Sequence, residues 1–279
     1  MKIAVTGSSG TVGKATLADL EAHGHKVRAI DLRSTEVHAP DRRRADLSDF
    51  GQTVGALDGC EAVVHLGAIP SPFGMPGHQV FATNVLGTYH ILEAARILGM
   101  KKICLASSVN ATGLSYSRAA RFDYLPLDEA HPTYNEECYG LSKWLGEATA
   151  DSFARRYEQL TISSLRYHGV VAPERYAEWR KRKQESNPAD GAKHLWGYVD
   201  MRDVVRANRL ALDADWKGHE AFFIVAADST ALLPSAELAR TFHPGVPLRK
   251  PLEGFAGFYD LSKAERLLKW KPEFSWRTG

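Results

Sequence analysis

The chain has 279 residues, of which 44% are hydrophobic and 24% charged, with a formal net charge of +2. That balance suits a globular protein with a sizeable core and argues against a dedicated nucleic-acid or membrane-surface protein, which needs a more basic face. Its three cysteines, Cys60, Cys104 and Cys138, form no CxxC pair and sit in or beside apolar segments, so they read as reduced thiols rather than metal ligands.

Met1 and Lys2 run straight into Ile3-Ala4-Val5, leaving no room for a signal peptide, and no apolar run approaches membrane-spanning length; a cytoplasmic protein is expected. Residues 2–6 read as a short buried strand followed at once by Thr6-Gly7-Ser8-Ser9-Gly10-Thr11-Val12-Gly13. A helical pattern through Val12, Ala15, Leu17, Leu20 and Ala22 ends at Gly24, and a second strand from Lys26 to Ile30 ends in Asp31. This is the strand-turn-helix-strand setting in which a glycine-rich turn counts as evidence for a dinucleotide. Gly7 allows the tight turn, Gly10 lets backbone approach a pyrophosphate, and Gly13 lets helix pack on strand. Amide groups and the dipole at that helix start favour phosphate charge.

Asp31 lies eighteen residues beyond Gly13, where a carboxylate accepts hydrogen bonds from adenosine ribose hydroxyls and repels a 2′-phosphate, so NAD is favoured over NADP. Leu32 and Arg33 follow it, and Arg33 with the Arg42-Arg43-Arg44 run complicates that preference, because a nearby guanidinium accommodates the extra phosphate. The plainer reading of the triple arginine is a solvated edge. Asp46-Leu47 should close a third strand, placing an acid and an apolar residue beside an adenine. Residues 61–66 read as a fourth strand ending in Leu66-Gly67-Ala68, small enough for a dinucleotide to pass; His65 reads as a core imidazole. The Pro- and Gly-rich segment 69–77 reads as a loop outside a strand's carboxyl end, with Ser71 and Phe73 as substrate candidates.

A long helix is expected from about His78 to Gly99, containing Asn84, with a strand from Lys102 to Ala106 delivering Ser107, Ser108 and Asn110 to the same sheet edge. A helix running to about Tyr157 then carries Tyr139 and Lys143. Tyr at i and Lys at i+4 share one helical face, so an ammonium can sit beneath the phenolic oxygen and favour its ionised form. Taken alone that spacing is a weak signal. A sixth strand, Thr161 to Tyr167, precedes His168 and Gly169. Beyond Gly169 the chain turns polar, with Arg175 and Arg180-Lys181-Arg182-Lys183; a strand (Ala221 to Ala226) and helices (Met201 to Leu212, Ser235 to Phe242, Leu261 to Leu268) follow. The reading is an α/β fold with a Rossmann-type doubly wound parallel sheet over 1–168. Residues 169–279 form mainly a smaller C-terminal α/β substrate lobe, with some segments returning to the sheet.

TGSSGTVG at 6–13, Asp31, Asp46-Leu47, HLGA at 65–68, NVLGT at 84–88, SSVN at 107–110, YGLSK at 139–143 and LRYHGVVAP at 165–173 occur in one order. Together with VDMRDVVRA at 199–207 and DLSKAERLLKWKP at 260–272 they resemble the extended short-chain dehydrogenase/reductase family, in its NAD-dependent epimerase/dehydratase group, over nearly the whole chain. The resemblance implies an NAD-dependent oxidoreductase. Tyr139 would be the acid/base, Lys143 would hold the nicotinamide ribose and, with the oxidised ring, depress the phenol, and Ser108 would bond the substrate oxygen. Thr11 and Val12 would meet the pyrophosphate, Asp31 the ribose, and Asp46 and Leu47 the adenine; Ala68, Asn84, Ser107 and Tyr167 would line the rest of the groove.

The thirty-one residues from Ser108 to Tyr139 are more than that group implies, so an insertion at 114–125 lies near the site. Gly169 stands where many sugar-nucleotide epimerases have Asn, which disfavours a UDP-sugar. HLGA and SSVN also resemble the uronate dehydrogenases of this family, and Arg175 or Arg180 could hold such a substrate's carboxylate. The expected reaction is oxidation of a secondary or hemiacetal hydroxyl on a carbohydrate-type substrate, a sugar or sugar acid, with Ser71, Phe73, Ser108, Asn110, Tyr139, His168 and Arg175 at the substrate. A nucleotide-sugar epimerase or dehydratase with tightly bound NAD and a dinucleotide-sensing protein on the same fold are the alternatives. The family often pairs the 78–99 and 133–157 helices of two subunits, which implies a homodimer.

Overall fold

A computed structural model describes residues 1–33 and 39–278. Alternation of apolar residues along β1 (Lys2–Thr6) decides how the centre is built: Ile3 and Val5 point into one core and Ala4 into another. A strand buried on both faces needs a layer of helices on each side. The same alternation continues in β4 (Ala62–His65), where Val64 joins the first core and Val63 the second. These strands pair in parallel with β2 (Lys26–Asp31), β3 (Asp41–Arg44), β5 (Lys102–Ser108), β6 (Thr161–Tyr167) and β9 (Gly218–Ile224). The result is a seven-stranded parallel sheet of order β3-β2-β1-β4-β5-β6-β9. The order reverses between β1 and β4, and crevices outside strand carboxyl ends at such a point are where α/β folds bind ligands. The doubly wound α/β architecture is therefore the one the sequence pattern implies.

On the first face lie α1 (Thr11–Ala22), α6 (Met201–Asp213) and α8 (Ser262–Leu268) around Leu17, Leu20, Val204, Phe222 and Trp270. On the second lie α2 (Phe50–Leu57), α3 (Gly77–Ile97) and α4 (Cys138–Arg156) around Ile91, Leu92, Ile103 and Ile162. The edge strand β3 is held from below by Arg28, only 5% exposed. Its guanidinium donates to Asp41 Oδ2 at 2.9 Å and to the carbonyls of Ala56 and Asp58 at the end of α2, at 3.0 and 2.5 Å. The arginines of β3 itself are exposed, as a solvated edge requires.

The last third of the chain is divided between the sheet and the space above it. β9 completes the sheet, and α6 lies against α1, with Asn208 Nδ2 donating to Thr16 Oγ1 at 2.9 Å and Arg209 Nε to Asp19 at 3.0 Å. Above the carboxyl edge stand the two-stranded ribbon of β7 (Val170–Val171) and β8 (Val199–Asp200), α5 (Tyr176–Gln184) and α7 (Ser235–Phe242). A third core of Leu125, Leu127, Trp196, Phe223 and Phe258 joins this region to the 114–132 segment. Among the described residues no helix is long and apolar enough to cross a membrane.

Two helices have no counterpart in the sequence reading. In α2, Gly51 and Gly55 each lower intrinsic helicity by about 1 kcal/mol; the Asp49 side chain, accepting from Gln52 N at 2.9 Å, starts the helix nonetheless. α5, with sequence YAEWRKRKQ, has no apolar stripe to announce it.

His65 ends β4 and is 4% exposed. Thr6 Oγ1 accepts from Gly67 N at 3.1 Å and is hydrogen-bonded to His65 Nδ1 at 2.8 Å. Burial, with a smaller contribution from the Lys143 charge, pushes this imidazole down to about 3 from 6.5. The folded value lies below the unfolded one, so its contribution to stability is complete above 6.5 and is lost as pH falls toward 3. Wild type is predicted to lose about 2 kcal/mol more than His65→Gln between pH 7.5 and pH 5 in urea unfolding. Parallel stability curves for the two proteins would contradict a neutral buried His65.

Candidate active site

The first turn of α4 sets the position of everything it carries. Glu137 caps it, its carboxylate accepting from Tyr139 N at 2.6 Å and Gly140 N at 2.5 Å. Gly140 touches the turn after β5: a Cβ there would lie 2.5 Å from the Asn110 carbonyl oxygen, so no larger residue allows this approach. Close contact brings Tyr139, 8% exposed, beside Ser108, 5% exposed, in the wall of one cavity. One turn on, Lys143 Nζ donates to the Ala106 carbonyl at 2.8 Å and lies 5.8 Å from the Tyr139 ring centroid. A further turn on, Glu147 accepts from Ser107 Oγ at 2.5 Å and from the buried Arg166 guanidinium at 2.7 and 3.0 Å.

Burial pushes the Tyr139 phenol up to about 12, the neighbouring Tyr116 and Glu137 add to that, and only the Ser108 hydroxyl opposes. In the chain alone Lys143 is not among the groups acting on the phenol; the expected depression is by Lys143 together with the oxidised nicotinamide ring. The ammonium is committed to Ala106, and desolvation of the ring outweighs any charge the protein places nearby. Burial also lowers Lys143 itself to about 8, with Glu147 opposing, so at neutral pH it remains mostly charged.

The β1–α1 turn has the features of a dinucleotide cradle. Gly7 has φ of +65°, and a Cβ on Gly13 would fall 2.2 Å from the Gly7 carbonyl oxygen. α1 starts at Gly10 without a side-chain cap, and Ser9 Oγ is buried without a partner. The amides of Thr11, Val12 and Gly13 therefore face the crevice with capacity for an anion. Asp31 accepts from Ser9 N at 2.9 Å and from Arg33 N at 3.0 Å, which holds its carboxylate at the rim of this turn. Leu32 is 53% exposed, and its carbonyl accepts from Arg44 Nε at 3.1 Å. Asp46 accepts from Ser48 within a turn just past β3, and Leu47 packs on Gly67, where a Cβ would lie 2.8 Å from its side chain. These features fit NAD: an uncapped helix start for the phosphates, a carboxylate at the second strand end, and a glycine floor.

Two groove candidates have other commitments. Asn84 is 2% exposed and bonds both backbone groups of Ile69, at 2.8 and 3.1 Å, and Ser142 Oγ at 3.0 Å, so it ties the loop after β4 to α4. Tyr167 sits in the cavity wall and donates its hydroxyl to Asn208 below the sheet edge.

A cavity of about 600 Å³ opens beside Tyr139, lined by Val12, Leu66, Ala68, Ser107, Ser108 and Lys143 on the sheet side. Asn110, His168 and Arg175 also line it. His168 accepts from Gly169 N at Nδ1 and donates from Nε2 to the His194 carbonyl, so both ring nitrogens are engaged by backbone. The Arg175 side chain is 65% exposed and 3.8 Å from Glu178. Ser71 bonds the Phe73 carbonyl at 3.2 Å, and Phe73 meets Tyr116 edge-on at 5.5 Å, which in turn meets Tyr139 at 5.9 Å. Sequence reasoning passed over Tyr116, Trp179, Arg182, Lys183, His194 and Tyr198 in the same lining. The basic run at 180–183 was visible, but only the placement of α5 over the sheet edge distinguishes it from a solvated surface.

A family model described as "NAD dependent epimerase/dehydratase family" matches residues 3–225. A uronate dehydrogenase of Pseudomonas syringae pv. tomato is 28% identical over 58% of this chain, and the match spans 57% of that enzyme. An L-arabinose 1-dehydrogenase (NAD(P)(+)) of Haloferax volcanii is 30% identical over 76% of the chain and 83% of the relative. A UDP-glucose 4-epimerase of Corynebacterium glutamicum is 27% identical over 98% of the chain and 91% of the relative. Among solved structures, a short-chain dehydrogenase/reductase superfamily protein from Agrobacterium tumefaciens with bound NAD superposes with a TM-score of 0.75 at 26% identity, covering 99% of this chain and 94% of that one.

Proposed function

The chain belongs to the NAD-dependent epimerase/dehydratase family, enzymes whose cofactor is NAD, and we propose that it oxidises a secondary or hemiacetal hydroxyl of a free sugar or sugar acid. The observation that carries this reading is the Ser108–Tyr139 pair, side by side in the wall of one cavity that continues to the residues above the sheet edge. NAD, when bound, supplies the acceptor for the hydride that leaves the carbinol carbon. Tyr139 Oη takes the hydroxyl proton, and Ser108 Oγ bonds the same oxygen and fixes its orientation. Lys143, anchored by Ala106, would hold the nicotinamide ribose. Thr11, Val12 and the glycine turn would hold the pyrophosphate, Asp31 the adenosine ribose, and Asp46 and Leu47 the adenine.

The two sugar dehydrogenases among the relatives support net oxidation. Gly169, at the end of β6, presents no side chain to a nucleotide diphosphate, which weighs against a UDP-sugar. The second reading is the epimerase, supported by a match over 98% of the chain. It differs in returning the hydride to the opposite face of the same carbon.

With a panel of aldoses and uronates, net NADH formation is predicted. Tyr139→Phe is expected to lower kcat by about 10³-fold while NAD affinity is retained. Interconversion of nucleotide-sugar epimers without net NADH would establish the second reading in place of the first. A second copy of this chain is the proposed protein partner, because the outer face of α3 exposes Leu86, Tyr89 and Ile97 at 46, 47 and 49%, beside Trp144 of α4 at 37%. Sedimentation at micromolar concentration should show a dimer that Leu86→Glu with Ile97→Glu dissociates; a monomeric wild type would count against it.

A further inference from the structure

The geometry points to an oxyanion subsite on α5: we propose that Lys183 and Arg182 hold a carboxylate or phosphate at the end of the sugar remote from the reacting hydroxyl. This deepens the oxidation reading above and rests on it for the position of that hydroxyl. The cavity is lined by four cations, Lys143, Arg175, Arg182 and Lys183, and among the described residues no Asp or Glu lines it. Lys143 is committed to Ala106 and Arg175 stands beside Glu178. Lys183 and Arg182 make no ion pair or side-chain hydrogen bond among the described residues. The Lys183 ammonium lies 5.4 Å from the Trp179 ring centroid.

This arrangement follows from how α5 is held. Tyr176 is 3% exposed and bonds Asp200, while Arg180 Nε donates to the Trp276 carbonyl at 2.8 Å. Residues 176 and 180, four apart, thus fasten one face of α5 to the fold. Residues 175, 179, 182 and 183 fall on the neighbouring face, which is the one lining the cavity. Trp179 packs against Tyr198 at 5.2 Å and Trp276 at 5.7 Å, so the helix is a fixed wall. Burial and the adjacent Arg182 lower Lys183, with Asp190 the one carboxylate opposing. The Lys183 charge in turn helps keep His194 down to about 4, and His194 Nδ1 is buried without a partner. A half-buried ammonium and a guanidinium without an ion pair, lining a cavity free of carboxylates, form a site for an anion.

The reacting hydroxyl must lie at Ser108 and Tyr139, so an anion on α5 belongs to the far end of the substrate. For an aldose oxidised at C1 that end is C6, as a uronate carboxylate or a 6-phosphate. The test is calorimetric titration of the NADH-loaded enzyme, which cannot oxidise substrate, with D-galactose, D-galacturonate and D-galactose 6-phosphate. At least one charged sugar should bind tenfold or more tightly than galactose, more weakly as salt is raised. That advantage should fall at least tenfold in Lys183→Met and in Arg182→Gln, with NADH binding as the check that each variant is folded. The arm that shows the advantage identifies carboxylate or phosphate. Equal binding of all three sugars, or an advantage unchanged in both folded variants, would overturn the subsite. Charge-dependent binding through Lys183 with no NAD reduction by any sugar would leave the subsite standing and remove the oxidation reading. Turnover of sugars with no Lys183-dependent preference would do the reverse.

Discussion

The organisation of the site depends on bringing the start of α4 into contact with the end of β5. Gly140 against the Asn110 carbonyl sets the distance, and the Glu137 cap closes the helix end that this contact exposes. Once the two elements meet, Tyr139 and Ser108 line the same cavity, and Lys143 reaches the Ala106 carbonyl one turn behind. Desolvating an ammonium costs several kcal/mol unless it is compensated. Compensation comes from the Ala106 carbonyl and from the Glu147 carboxylate, which is itself fixed by Ser107 and the buried Arg166. The line Arg166, Glu147, Lys143, Tyr139 is thus a series of charges and dipoles packed along one helix and into one sheet edge.

That arrangement has an electrostatic consequence for the phenol. The protein by itself pushes Tyr139 up, so it does not hold a phenolate ready in advance. A proton acceptor with this environment becomes competent only when positive charge is added next to it. On the proposed function, proton transfer would then depend on occupancy of the cofactor groove, where the oxidised nicotinamide would add positive charge beside the phenol.

Much of this was legible in the chain. Ile3-Ala4-Val5, the glycine turn and Asp31 revealed the nucleotide-binding half because each signal is local and its period unambiguous. Tyr139 and Lys143 became interpretable only through their order after Ser108. What the sequence hid depends on distant partners. Asn84 looks like a groove residue until Ile69 and Ser142 are found on its amide. α5 looks like a solvated polar stretch because what anchors it, Trp276 and Asp200, lies far along the chain. Tyr116 belongs to a segment without periodicity, held in place by Phe73 and Tyr139. Arg175 was the obvious cation, yet Lys183 and Arg182, which make no ion pair among the described residues, line the same cavity.

The central claim is that Tyr139 is the proton acceptor and becomes one only with NAD bound. The direct measurement is tyrosinate absorbance of wild type minus Tyr139→Phe, titrated with and without oxidised NAD and set against the pH dependence of kcat/KM. Without NAD the difference signal should be absent below about pH 11, because burial holds the phenol near 12. With NAD it should appear at lower pH, with the midpoint of the activity limb. A signal that titrates alike in both states, or an activity limb with no matching ionisation, would contradict the account.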